Sequence, residues 1–212
     1  MTKIKICGVK NEKDAKFISM LDVDYIGINL ATGTKRAVSE NALLKITSVI
    51  PPYIIPVAVM INPELKDIKR ILKKTAITHY QLHGCESVDF VMRAKELGVK
   101  IIKAFRPKNA SEALIAAEFL EAADYFLIDA YSQHLPGGTG KEVSFSRAKK
   151  MKELGKPLFL AGGLNPDNVA DAIREVSPFA VDAASGVEKT PRSKDIEKVR
   201  CFIRAVRGKS EE

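Results

Sequence analysis

Residues 157–187, PLFLAGGLNPDNVADAIREVSPFAVDAASGV, decide how the rest of the chain is read. Residues 158–161 are a short apolar run that reads as a strand, and Gly162 and Gly163 follow with no side chain in the way. Asn165 before Pro166 reads as an N-cap followed by a proline in the first helical turn, so a helix is predicted just past a bare glycine turn. Residues 179–182 read as the next strand, and Ala183, Ala184, Ser185 and Gly186 again leave the backbone open at its end. Paired glycines alone are usually turn punctuation. Two such turns on consecutive strand signals can instead aim their N–H groups at one anion. In a barrel of eight βα units, the loops after the last two strands are where a phosphate sits.

The same alternation runs outward through the whole chain. Strands are predicted at 3–7, 25–30, 54–60, 80–83, 100–105, 125–129, 158–161 and 180–182, with helices at 12–20, 39–49, 63–73, 87–97, 111–120, 144–154, 166–175 and 194–207. Asn11, Ser39 and Asn62 before Pro63 are the proposed helix starts. Strand–helix repetition without a linker predicts a parallel sheet wrapped by helices, and eight units favour a closed (β/α)8 barrel over an open sheet. The 212 residues suffice for one full core, so one domain over 1–212 is expected. Only 208–212 reads as a loose tail.

Composition narrows the classes. With 46% hydrophobic and 28% charged residues the chain is globular, and no apolar run approaches a membrane span. No signal peptide is read at the start, since residues 1–8 run straight into a strand. Cys7, Cys85 and Cys201 show neither a disulfide framework nor metal spacing, which suits free thiols in a reducing cytoplasm. The formal charge of +8 could suggest nucleic acid, but the basic residues are scattered along helical segments such as 66–74 and 194–207 without interleaved aromatics. A solvated helix surface is the expectation, with modest steering of an anionic small molecule.

Barrel sites lie at the C-terminal ends of the strands, so those positions carry the chemistry. Alternation puts Lys3, Lys5 and Cys7 on one face of the first strand, with the thiol at the mouth on the same side as a lysine. A thiol near a positive charge can ionise near neutrality and act as a base or nucleophile. The loop ATGTKRAV after the second strand offers Arg36, a planar fork for a carboxylate or phosphate, next to Lys35. On the fourth strand His79, Gln81 and His83 share a face and are expected to hydrogen-bond rather than hold a metal. Cys85 and Cys201 fall in or beside helices and read as inert. Asp129 ends the sixth strand, where partial burial would raise its pKa and keep a proton available. The glycine-bearing loop YSQHLPGGTGKEV after it could fold over a ligand. The last strand must pair with the first to close the barrel, and Asp182 is expected to neutralise Lys5 inside it.

Taken together these residues resemble the phosphoribosylanthranilate isomerase family, the barrel enzymes of tryptophan biosynthesis. The resemblance covers essentially the whole chain. It rests on Lys5-Ile6-Cys7-Gly8, Gln81-Leu82-His83-Gly84, Asp129 followed by Gly137-Gly138-Thr139-Gly140-Lys141, Ala161-Gly162-Gly163-Leu164-Asn165-Pro166, and Asp182 with Ser185-Gly186-Val187-Glu188. It implies Cys7 as general base, Asp129 as general acid, Arg36 as the contact for the anthranilate carboxylate, and Gly138, Gly162, Gly163, Ser185 and Gly186 around the ribose phosphate. His83 and Gln81 would be further mouth residues. The implied reaction is an Amadori rearrangement of N-(5-phosphoribosyl)anthranilate that needs no metal or organic cofactor. The implied partner is a small sugar phosphate, with neither nucleic acid nor membrane, and the protein would be a monomer or homodimer. The competing expectations are a related barrel isomerase or epimerase on another ribose phosphate and a non-catalytic sugar-phosphate-binding barrel.

Overall fold

A computed structural model describes residues 1–129, 140–190 and 193–208, without the side chains of 140–144. Its strands are β1 (Lys3–Cys7), β2 (Tyr25–Asn29), β3 (Ile55–Met60), β4 (His79–Leu82), β5 (Lys100–Phe105), β6 (Tyr125–Asp129), β7 (Leu158–Ala161) and β8 (Ala180–Ala183). They pair in sequence order, all parallel, and β8 closes on β1. The helices between them are α1 (Glu12–Ile18), α2 (Glu40–Thr47), α3 (Leu65–Lys74), α4 (Val88–Lys95), α5 (Ala110–Ala113), α6 (Gly140–Lys152) and α7 (Val169–Val176), with α8 (Ile196–Arg207) last. All eight predicted strands are present, each within a residue or so of its expected bounds.

Two apolar layers account for this order. Alternate strand residues such as Ile4, Ile6, Ile26 and Ile28 point outward and are buried under the helices, whose own inward stripe includes Ile18, Leu43, Ile46 and Ile71. The opposite alternates, among them Tyr25, Val57, Ile102, Leu127 and Phe159, fill the barrel itself. Tyr25, Tyr125 and Phe179 pack their rings around Phe159, with centroids 5.3–5.7 Å from its own. Above them the filling turns polar, with Lys5, Gln81 and Asp182 buried toward the mouth.

Helix starts follow local capping, with three departures from expectation. Asn11 and Ser39 cap α1 and α2, their side chains accepting from Asp14 N–H and Ala42 N–H. Asn62 does not cap α3. It sits at φ +45°, and its side chain accepts the Cys85 N–H at 2.7 Å, while Glu64 and Asp67 form the capping box. Asn165 turns the chain by accepting from Asp167 N–H and Asn168 N–H, so α7 begins only at Val169. The expected helix at 111–120 continues α5 as a 3₁₀ segment, Leu114–Phe119. Ala113 at the end of α5 and the buried Ala116 and Phe119 of this segment recur every three positions, the period that a 3₁₀ turn stacks on one side.

Between β8 and α8 lies an addition absent from the sequence reading. A short 3₁₀ turn, Ser185–Val187, leads into an antiparallel pair, β9 (Glu188–Thr190) and β10 (Ser193–Lys194). Lys194, expected on a solvated helix face, is buried on β10, and Asp195 caps α8 behind it.

Candidate active site

The C-terminal end of the barrel opens into a cavity of about 470 Å³. Cys7 and Asp129 both line it, as do Arg36, Gln81 and His83, and its wall is completed by Gly162, Gly163 and Ser185. Gly186 stands just behind. A Cβ built on it would overlap the carbonyl oxygen of Leu164, so the turn after β8 packs its bare backbone on the turn after β7. Gly162 and Gly163 have φ of 100° and 70°, conformations that favour glycine. Gly138 and its neighbour Gly137 lie outside the described residues.

Cys7 reaches the mouth because β2 yields space to β1. Its register partner is Gly27, and a Cβ there would fall 2.7 Å from Cys7 Sγ and 3.1 Å from Lys5 Nζ. Lys5 in turn pairs in register with Asp182, and Lys5 Nζ donates to Asp182 Oδ2 at 2.9 Å, fully enclosed. The expected neutralisation inside the barrel is present. Burial works against the Lys5 charge, but Asp182 and Cys7 outweigh it and hold the ammonium above its ordinary pKa. The thiol departs from expectation. Burial pushes Cys7 above the usual thiol range and Asp182 adds to the rise, although Lys5 and Lys194 pull it down. A lysine next door therefore does not make this thiol acidic in the free protein.

Asp129 ends β6 with its side chain about one-quarter exposed, and Arg106 Nε donates to its Oδ2 at 3.2 Å. Arg106 was missed in the sequence, though it directly follows the last residue of β5, a strand end of the kind that furnishes barrel sites. On β4, Gln81 Nε2 bonds His83 Nδ1 at 3.0 Å, which leaves the ring proton on Nε2. Burial, then the charges of Arg106, Lys5 and Lys103, push His83 down to about 3, so the imidazole is neutral. His79 is separated from this pair at the other end of the strand, among Tyr25 and Tyr125. Among the described residues His83 Nε2, Gln81 Oε1 and Asp182 Oδ1 are buried without a hydrogen-bond partner. One donor and two acceptors are thus set in or beneath the cavity floor. No three metal-binding side chains converge among the described residues.

Arg36 crosses Gly8, where a Cβ would meet its Cδ at 2.6 Å and where φ is +77°. Its Nε and Nη2 each donate to Glu188 at 2.7 Å. Glu188 Oε1 also accepts from Lys194 Nζ at 3.1 Å, and Lys194 donates to the carbonyls of Cys7 (2.6 Å) and Ala184 (3.0 Å). Burial raises Glu188, but Arg36 and Lys194 outweigh it and hold the carboxyl below its ordinary pKa. Burial lowers Lys194 below the usual lysine value. Glu188 carried no role in the sequence reading, and Lys194 was assigned to the surface.

A closed parallel barrel whose reactive side chains gather at the C-terminal ends of its strands is a (β/α)8 barrel of the enzyme type. Comparison with known proteins narrows this class. The family model described as N-(5'-phosphoribosyl)anthranilate isomerase matches residues 4–205. The N-(5'-phosphoribosyl)anthranilate isomerase of Aquifex aeolicus is 39% identical over 213 residues, covering all of both chains. The crystal structure of phosphoribosyl anthranilate isomerase from Thermotoga maritima superposes with a TM-score of 0.89 at 33% identity, over 98% of this chain and all of that one. A phosphoribosyl anthranilate isomerase in complex with reduced 1-(o-carboxyphenylamino)-1-deoxyribulose 5-phosphate matches at 31% identity with a TM-score of 0.87, over 98% of this chain and all of that one. The chain belongs to the N-(5'-phosphoribosyl)anthranilate isomerase family.

Proposed function

We propose that this barrel catalyses the rearrangement of N-(5-phosphoribosyl)anthranilate to 1-(2-carboxyphenylamino)-1-deoxyribulose 5-phosphate in tryptophan biosynthesis, with Cys7 as general base and Asp129 as general acid. The observation that carries this reading is the shared cavity: a thiol from β1 and a carboxylate from β6 line one space together with both glycine turns. Asp129 protonates the furanose ring oxygen as the ring opens to a Schiff base. Cys7, as thiolate, then takes the C2 proton, and electrons flow toward the iminium nitrogen to give the enolamine, which tautomerises to the ketone. The substrate's own nitrogen is the electron sink, so the step balances without an added redox or metal group.

The remaining residues bind. Gly162, Gly163, Ser185 and Gly186 hold the phosphate through backbone, with Gly138 assigned there by resemblance alone. Arg36 takes the anthranilate carboxylate. His83 and Gln81 offer their free polar atoms to the sugar hydroxyls. Lys5, the enclosed cation that pulls hardest on the Cys7 thiol, supports its thiolate. The three free cysteines suit a reducing cytoplasm, where we place the enzyme.

The test is direct. Freshly prepared phosphoribosylanthranilate should lose its fluorescence when the purified protein is added, and should keep it with folded Cys7→Ala. No turnover by the folded wild-type protein overturns the reading.

A further inference from the structure

The ion pair at Arg36 has more structure than a substrate contact requires. An arginine has two hydrogen-bonding edges, one through Nε and one Nη, the other through both Nη groups. Glu188 fills the first edge in bidentate fashion, and among the described residues no other carboxylate bonds the second. The Glu188 side chain is 5% exposed, that of Lys194 2% and that of Arg36 28%, so the inner two are sealed and the arginine alone reaches the cavity. Two cations and one anion leave a net charge of +1, suited to one carboxylate.

Glu188 could instead be a competitor that swings away when a ligand binds. Its surroundings oppose that. Moving it would leave Lys194 buried without a counter-charge beside a second cation, an arrangement far costlier than the ion pair. Lys194 is held in turn by the Cys7 and Ala184 carbonyls, so the hairpin of β9 and β10 connects the arginine to the backbone of the thiol-bearing strand.

We propose that Glu188 and Lys194 are positioning residues: Glu188 fixes Arg36 so that its outer edge meets the substrate carboxylate, and Lys194 ties that pair to the Cys7 backbone, setting the distance between carboxylate and base. This rests on the roles given to Arg36 and Cys7 above. The hairpin thereby selects substrates bearing one carboxylate on the ring attached to the sugar nitrogen.

The experiment compares N-(5-phosphoribosyl)anthranilate with the same sugar phosphate on aniline, which lacks the carboxylate. Glu188→Gln should raise KM for the first about five- to twentyfold, change kcat less than about threefold, and leave KM for the second unchanged. Glu188→Asp, which keeps a charge for Lys194 but falls short of the arginine, should show the same selective rise and serves if the glutamine variant does not fold. In an Arg36→Met background the Glu188 substitution should add nothing to KM, as coupling through one residue requires. Lys194→Met should lower kcat about tenfold with N-(5-phosphoribosyl)anthranilate and less than about threefold with the aniline substrate, which has no carboxylate to be placed relative to Cys7; an equal loss on both would make Lys194 scaffold alone. A fall in KM for Glu188→Gln would mean competition and overturn the proposal, and equal losses on both substrates would reduce Glu188 to scaffold. Unchanged kcat in folded Lys194→Met removes the link to Cys7. If Arg36→Met itself fails to distinguish the two substrates, the role of Arg36 is wrong; if it distinguishes them and Glu188→Gln does not, the positioning proposal alone falls.

Discussion

Lys5 Nζ lies 2.9 Å from Asp182 Oδ2 on strands that pair in register, although 177 positions separate the two residues in the chain. Removing one partner strands the other charge in the barrel, which typically costs about 3–5 kcal/mol. Asp182→Ala should lose stability of that order in urea unfolding, and adding Lys5→Met should recover part of it. An Asp182→Ala protein as stable as wild type would show that the pair does not hold the closure of β8 on β1.

The acid and base proposed above make a second test. Cys7→Ala and Asp129→Asn should each lose about 10² to 10⁴ in kcat while remaining folded. Because burial raises the Cys7 pKa and the base must be deprotonated, kcat/KM should climb with pH toward and beyond the ordinary thiol range, without levelling off below neutrality. A plateau already reached at pH 6 would remove Cys7 as the titrating base. Iodoacetamide should inactivate the enzyme, and bound product should protect Cys7 but not the exposed Cys85.

His83 gives a prediction about stability alone. Its folded pKa of about 3 lies below the unfolded histidine value of about 6.5, so the unfolded chain binds the extra proton between those limits. The contribution is fully present above pH 6.5 and is lost as pH falls toward 3. His83→Gln should therefore unfold with a shallower pH dependence than wild type between pH 6.5 and 4. Parallel curves for the two proteins would mean that the imidazole is not held neutral.

At the turns proposed to hold the phosphate the constraint is steric. Any side chain at Gly186 meets the Leu164 carbonyl, so Gly186→Ala must push the two turns apart. Its KM should rise at least tenfold, with inorganic phosphate losing its competitive inhibition in parallel. Wild-type KM in that variant would place the phosphate elsewhere.

Much of this was legible in the sequence because a parallel barrel strand is a short apolar run ending at a functional position. Lys3–Cys7 and Tyr125–Asp129 could be read to the residue, together with the thiol and carboxylate that they present. The mutual pairing of Lys5 and Asp182 followed from barrel closure alone. Arg106 escaped because its meeting with Asp129 depends on side-chain reach across neighbouring strands. Glu188 and Lys194 escaped because β9 and β10 span three and two residues, too short for any periodicity, and the fork that Glu188 holds comes from 152 positions away. The acidity of Cys7 was misread because neighbour charge is visible in a strand pattern, whereas the depth of burial that opposes it is not.

Gly27 gives the barrel a different kind of constraint. Its single hydrogen leaves room for a thiol and an ammonium to stand side by side, so even the smallest replacement side chain presses on Cys7 and Lys5 at once. Every substitution there adds at least a carbon. Gly27, Cys7 and Lys5 therefore form one steric unit across β1 and β2, and a side chain at position 27 is accommodated only if the thiol or the ammonium shifts.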